Sequence, residues 1–81
     1  MDKIIKNILK KIESEGYEAY IVGGFVRDYL LKKNSYDVDI CTNAKPKDLI
    51  HLFNVKQNLN NYGGLNMKIK KYNIDITTYR K

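Results

Sequence analysis

The 81 residues contain little of what many functional classes require: one cysteine, one histidine, one proline and no tryptophan. A lone Cys41 excludes an intramolecular disulfide and a cysteine-rich zinc site. It reads as a small buried hydrophobe, and such sparse cysteine fits a reducing, cytoplasmic setting. A single histidine, His51, leaves little for histidine-based metal sites or for Ser-His-Asp chemistry. No apolar run approaches the ~18–20 residues that span a bilayer. The N-terminal MDKIIKNILKK alternates Lys with Ile too finely for a signal-peptide core, so no membrane partner is expected. Acidic residues are also scarce. Nine Asp and Glu stand against 15 Lys and Arg, a formal balance of +6 that favours an anionic partner such as RNA, a nucleotide or a lipid surface.

What is present suffices for one small domain. The hydrophobic fraction is 43%, with abundant Ile and Tyr, so disorder is not expected. A chain this short buries only about 60% of its unfolded surface, so its core is marginal. Ile4, Ile5, Ile8, Leu9 and Ile12 follow helical spacing opposite Lys3, Lys6, Lys10 and Lys11, which predicts a helix over 2–15, capped by Asp2 and ended at Gly16. Residues 17–22 read as a strand. Gly23-Gly24 ends it, and a short helix over 25–33 follows, with Val26, Tyr29 and Leu30 facing inward. Residues 37–42 alternate polar and apolar, the period of a half-buried strand. Pro46 opens a helix to about Phe53. Asn- and Gly-rich residues 54–64 read as a loop. Two strands, 65–70 and 72–79, close the chain, with a tight turn near Lys71 or Tyr72-Asn73. The order α-β-α-β-α-β-β defines an α+β (mixed α/β) domain with a mixed sheet.

Three positions carry chemistry. At Gly23-Gly24 two Cβ atoms are missing where a strand turns into a helix, so the backbone can approach a ligand and free N–H groups can meet phosphate. Arg27 follows in the first helical turn and can fork onto phosphate oxygens or pair with Asp28. Asp37 and Asp39, two apart on a strand, share one face while Val38 and Ile40 enter the core. Like charges held together call for a divalent cation, and hard oxygen ligands suit Mg²⁺. Asp75, flanked by Ile74 and Ile76, projects from the polar side of a later strand. Alone, each has a plainer reading as a tight turn or an exposed acid. Together, a phosphate-binding turn and three carboxylates suit phosphoryl transfer with one or two metals.

Tyr20-Ile21-Val22-Gly23-Gly24-Phe25-Val26-Arg27-Asp28, then Asp37-Val38-Asp39-Ile40 and Ala44-Lys45-Pro46, resembles the catalytic head of class II CCA-adding enzymes and bacterial poly(A) polymerases. Both are DNA-polymerase-β-like nucleotidyltransferases. Tyr62-Gly63-Gly64 and Ile74-Asp75-Ile76-Thr77-Thr78-Tyr79-Arg80 match later elements of that head more loosely. The resemblance implies that Gly23, Gly24 and Arg27 bind the triphosphate. It implies that Asp37 and Asp39 hold Mg²⁺, that Asp75 is the third catalytic and metal-binding carboxylate, and that Asp28 serves local hydrogen bonding. It further implies addition of C, C and A to a tRNA 3′ end from CTP and ATP. Residues 1–81 then read as a partial, truncated head domain, the front part of a larger enzyme.

Two other readings stand beside this one. Nothing in these residues separates CCA addition from poly(A) synthesis. The alternative is a non-catalytic unit that binds nucleotide or RNA. If 72–79 were an unpaired sheet edge, self-association through it is expected.

Overall fold

The computed structural model of the chain describes residues 3–31, 36–55 and 64–79. Among these residues three helices and four strands follow one another as α1 (Lys3–Ser14), β1 (Ala19–Val22), α2 (Gly24–Leu30), β2 (Asp37–Thr42), α3 (Pro46–Phe53), β3 (Gly64–Ile69) and β4 (Tyr72–Thr78). The predicted order of elements is therefore observed. The Asp2 cap, most of the 54–64 loop and Arg80 lie outside the described residues.

Helix α1 buries Ile5, Ile8 and Ile12 and leaves Lys3, Lys6, Lys10 and Lys11 exposed. It ends in a Schellman motif, in which Gly16 N–H donates to the Glu13 carbonyl (2.9 Å) and Tyr17 N–H to that of Ile12 (3.4 Å). Strand β1 starts at Ala19 rather than at Tyr17, because Glu18 N–H donates to the Asn43 side-chain oxygen (2.8 Å) instead of to a neighbouring strand. Helix α3 begins with Pro46 at its first turn. It ends at Asn54, whose left-handed backbone (φ 50°) lets its N–H and that of Val55 satisfy the His51 and Ile50 carbonyls.

The four strands form one mixed sheet in the order β1-β2-β4-β3. β1 runs antiparallel to β2, β2 parallel to β4, and β4 antiparallel to β3. The last strand is thus inserted in the middle of the sheet. This corrects the expectation that 72–79 forms an unpaired edge: β2 and β3 satisfy both of its sides, and among the described residues the edges are β1 and β3. The hairpin turn is Lys70-Lys71, since Ile69 pairs with Tyr72, and Lys70 takes the positive φ of 53° that the turn requires.

One face of the sheet carries the core. Val38, Ile40, Ile74, Ile76, Leu65 and Met67 pack beneath Ile5, Ile8 and Ile12 of α1 and Leu49 of α3. Full burial of each large aliphatic side chain contributes about 1.5–3 kcal/mol. Leu30, expected inward, is instead 73% exposed. It is the final residue of a seven-residue helix, and the adjoining Leu31 is exposed as well. Helical spacing marks an apolar stripe but does not supply an element to cover its end. The side chains of Val26 and Tyr29 lie outside the description.

Candidate active site

The opposite face of the same sheet is polar, and strand alternation makes it so. In β2 the burial pattern puts Val38 and Ile40 inside and Asp37 and Asp39 outside. In β4 Ile74 and Ile76 are buried, and Asn73 and Asp75 alternate with them. The parallel register pairs Asp39 with Asp75 and Asp37 with Asn73 on adjacent strands. Two carboxylates therefore stand side by side across the strand boundary, and a third follows two residues along β2. The sequence pattern places each acid on a polar face; only the register reveals that the faces coincide.

The glycine turn joins this face directly. Val22, the last residue of β1, pairs with Asp39, and Gly23 follows at φ +77°. A Cβ at Gly23 would lie 3.3 Å from Oδ2 of Asp39. Glycine is thus favoured twice, by the left-handed backbone and by the close approach of the carboxylate. Arg27, in α2, has a side chain 74% exposed, with Nε 3.6 Å from Oδ1 of Asp28. Such a surface pair is weak, and the guanidinium can exchange it for another anion. Asp28 accordingly serves as a local partner of Arg27.

Burial pushes the Asp39 carboxyl above its ordinary 3.8, and the nearby charges of Asp75 and Asp37 push in the same direction. A carboxylate disfavoured in this way by its neighbours is relieved by a cation. The donor set, oxygen only and anionic, has the chemistry of a hard divalent ion. Among the described residues, however, no three Asp, Glu, His or Cys side chains close into a metal-ligand cluster. The sheet brings the three acids to one surface without converging their oxygens on a point, and amide donors hold two of them. Asn73 Nδ2 donates to Asp37 Oδ1 (3.2 Å), and Asn66 Nδ2 donates to Asp75 Oδ1 (2.8 Å). Neither asparagine stood out in the sequence. Asn73 could have been found by the same spacing of two that relates Asp37 to Asp39, but Asn66 becomes visible only through the β3–β4 pairing.

Comparison with known proteins identifies the family. Residues 19–81 match the family profile described as the poly A polymerase head domain. The chain belongs to that family. The CCA-adding enzyme of Staphylococcus haemolyticus is 41% identical over 76 residues, covering 93% of this chain and 19% of that protein. The crystal structure of the Bacillus stearothermophilus CCA-adding enzyme in complex with CTP superposes with a TM-score of 0.75 at 32% identity. That match covers 98% of this chain and 21% of the other. A tRNA nucleotidyltransferase complexed with a primer tRNA and an incoming ATP analogue gives a TM-score of 0.70 at 32% identity, over 90% of this chain and 23% of that one. The poly A polymerase head member described here therefore has the polymerase-β-like nucleotidyltransferase fold, and it spans about a fifth of the length of the curated relatives it matches. Among its described residues no helix is long and apolar enough to cross a membrane.

Proposed function

We propose that residues 1–81 form the metal- and triphosphate-binding part of the head domain of a cytoplasmic CCA-adding tRNA nucleotidyltransferase. The reaction is transfer of CMP and AMP from CTP and ATP to a tRNA 3′-hydroxyl, with release of pyrophosphate. The observation that carries this reading is the register pair Asp39–Asp75, with Asp37 beside it and the Gly23 turn against it.

In this reading Asp37 and Asp39 hold Mg²⁺, and Asp75 completes the carboxylate set. The ion, when bound, supplies charge neutralisation to the triphosphate and to the developing transition state. The chain's own residues supply placement. Gly23 and Gly24 allow the phosphates close to the backbone, and Arg27 leaves Asp28 to fork onto phosphate oxygens. In this reading the tRNA 3′-hydroxyl loses its proton beside this carboxylate set and attacks the α-phosphate in line, with pyrophosphate leaving. Catalysis of this type is positioning and electrostatics. The relatives crystallised with CTP and with a primer tRNA and ATP analogue support the choice of substrates.

Calorimetric titration of the 81-residue chain with Mg²⁺–CTP and Mg²⁺–ATP tests the binding part. Weak binding with little preference between the bases is expected, and equal binding by the Asp37→Ala, Asp39→Ala double variant would refute the metal assignment. Primer extension on tRNA lacking its 3′ end tests turnover. Incorporation of both C and A that is lost in Asp37→Ala supports CCA addition. The family profile, which carries the poly A polymerase name, favours a second reading in which ATP alone is incorporated. Nucleotide binding without incorporation would leave the chain a binding unit.

A further inference from the structure

The polar face holds two asparagines besides its carboxylates, and they are linked. The amide nitrogen of Asn66 donates both of its protons, one to Asp75 Oδ1 at 2.8 Å and one to Asn73 Oδ1 at 3.0 Å. Asn73 passes the link on through its own amide, donating to Asp37 Oδ1 at 3.2 Å. The register explains why these four side chains meet: Asn66 pairs with Asp75 across β3–β4, and Asn73 pairs with Asp37 across β2–β4. Asn73 is fixed further by its backbone N–H, which donates to the Tyr36 carbonyl at 2.7 Å. The result is a continuous relay, Asp75–Asn66–Asn73–Asp37, running across three strands.

We infer that Asn66 and Asn73 are positioning residues that hold Asp75 and Asp37, respectively, by one oxygen each, limiting their rotation and leaving the other oxygen of each carboxylate to a cation. The inference rests on the metal reading of this face given above. A side-chain amide is suited to the task. It donates to a carboxylate without adding charge, so it fixes the carboxylate's rotation without competing as a cation. Lysine at either place would neutralise the site, and an apolar residue would leave the carboxylates free to rotate away from one another. Asn73, with one donor and one acceptor used, joins the two ends, so the orientations of Asp37 and Asp75 are coupled. Groups that orient the direct ligands in this way typically change metal affinity 10–100-fold when removed.

The test is a titration of the full 81-residue chain with Mn²⁺ alone, followed by electron paramagnetic resonance of the free ion, with thermal melting of every variant recorded in parallel. Asn66→Ala, Asn73→Ala and the double variant are compared with the parent chain, and Asp37→Ala, Asp39→Ala serves as the reference for loss of the site. The expected result is a rise in Mn²⁺ Kd of about ten-fold or more in the double variant. Each single variant should show a smaller rise, and the folded baseline should persist at the titration temperature. Should the double variant fail to fold, Asn73→Ser, which removes the amide donor but suits the strand, carries the same comparison. Mn²⁺ binding within two-fold of the parent, while Asp37→Ala, Asp39→Ala loses it, would overturn the positioning role and leave the metal reading intact. Unchanged binding in Asp37→Ala, Asp39→Ala as well would overturn the metal reading itself.

Discussion

Asp37 and Asp39 differ from Val38 and Ile40 by one step along the same strand, yet the two pairs belong to different environments. Val38 and Ile40 keep 1% of their surface exposed, in contact with the helices, while the two acids stand on the open face. Strand β4 repeats the contrast with Ile74 and Ile76 against Asn73 and Asp75. The inner face is apolar, close-packed and satisfied by its neighbours. The outer face concentrates like charge, and burial and neighbouring acids both push Asp39 above its ordinary range. A surface selected only for stability would not keep that arrangement. The inner face holds the fold, and the outer face gives up part of that stability at the proposed site.

Changes on the inner face break this contrast most severely. Ile76→Ala, at a fully buried position, should cost about 2–5 kcal/mol in urea unfolding, enough to threaten folding of so small a domain. Gly64→Ala attacks the same core from the sheet side. A Cβ there would come within 1.9 Å of the Ile76 carbonyl oxygen, so the β3–β4 pair must shift. A loss of about 1–3 kcal/mol in the same assay is expected, in the range of overpacked cores.

On the outer face the expected effects on stability are smaller, and at Asp39 the sign is opposite. The folded state holds the Asp39 proton above 3.8, more tightly than the unfolded chain does. Its contribution is therefore most favourable below pH 3.8 and is lost as pH rises from 3.8 through the raised value. Asp39→Asn should remove this fall, seen by comparing melting temperatures of the two chains across that window without metal. The smallest effect lies at the far end of the same face, where the Tyr79 hydroxyl donates to Glu18 Oε2. This bond, with burial and the Glu18 charge, raises Tyr79 from 10.0 to about 12. The associated stability is present below pH 10 and lost between pH 10 and about 12. Tyr79→Phe should lack that alkaline loss in the same melting series.

Much of the contrast was legible in the sequence because it is local. The alternation in 37–42 and around Asp75 assigns each side chain to a face without reference to any partner strand, and the spacing of Ile5, Ile8 and Ile12 does the same for α1. What was not legible is non-local. Nothing near Tyr72–Thr78 announces that this strand pairs with β2 as well as β3, so it was read as an edge. The same blindness hid the Asn66–Asn73 relay, whose members come together only through cross-strand pairing. Leu30 failed for a related reason: periodicity names a face, and only tertiary structure decides whether anything covers it. The Gly23-Gly24 turn was read as a place for close approach, and the first group found close to it is a carboxylate of the site, Asp39.

The outer face is proposed above as a metal–nucleotide site, one that the fold does not need. Thermal melting of the parent chain and of Asp37→Ala, Asp39→Ala, each with and without saturating Mg²⁺–CTP, tests it most directly. A ligand that binds only the folded state raises its melting temperature. The double variant, without ligand, should melt at or slightly above the parent, and Mg²⁺–CTP should stabilise the parent alone. A double variant that is unfolded, or one that Mg²⁺–CTP stabilises as much as the parent, would contradict it.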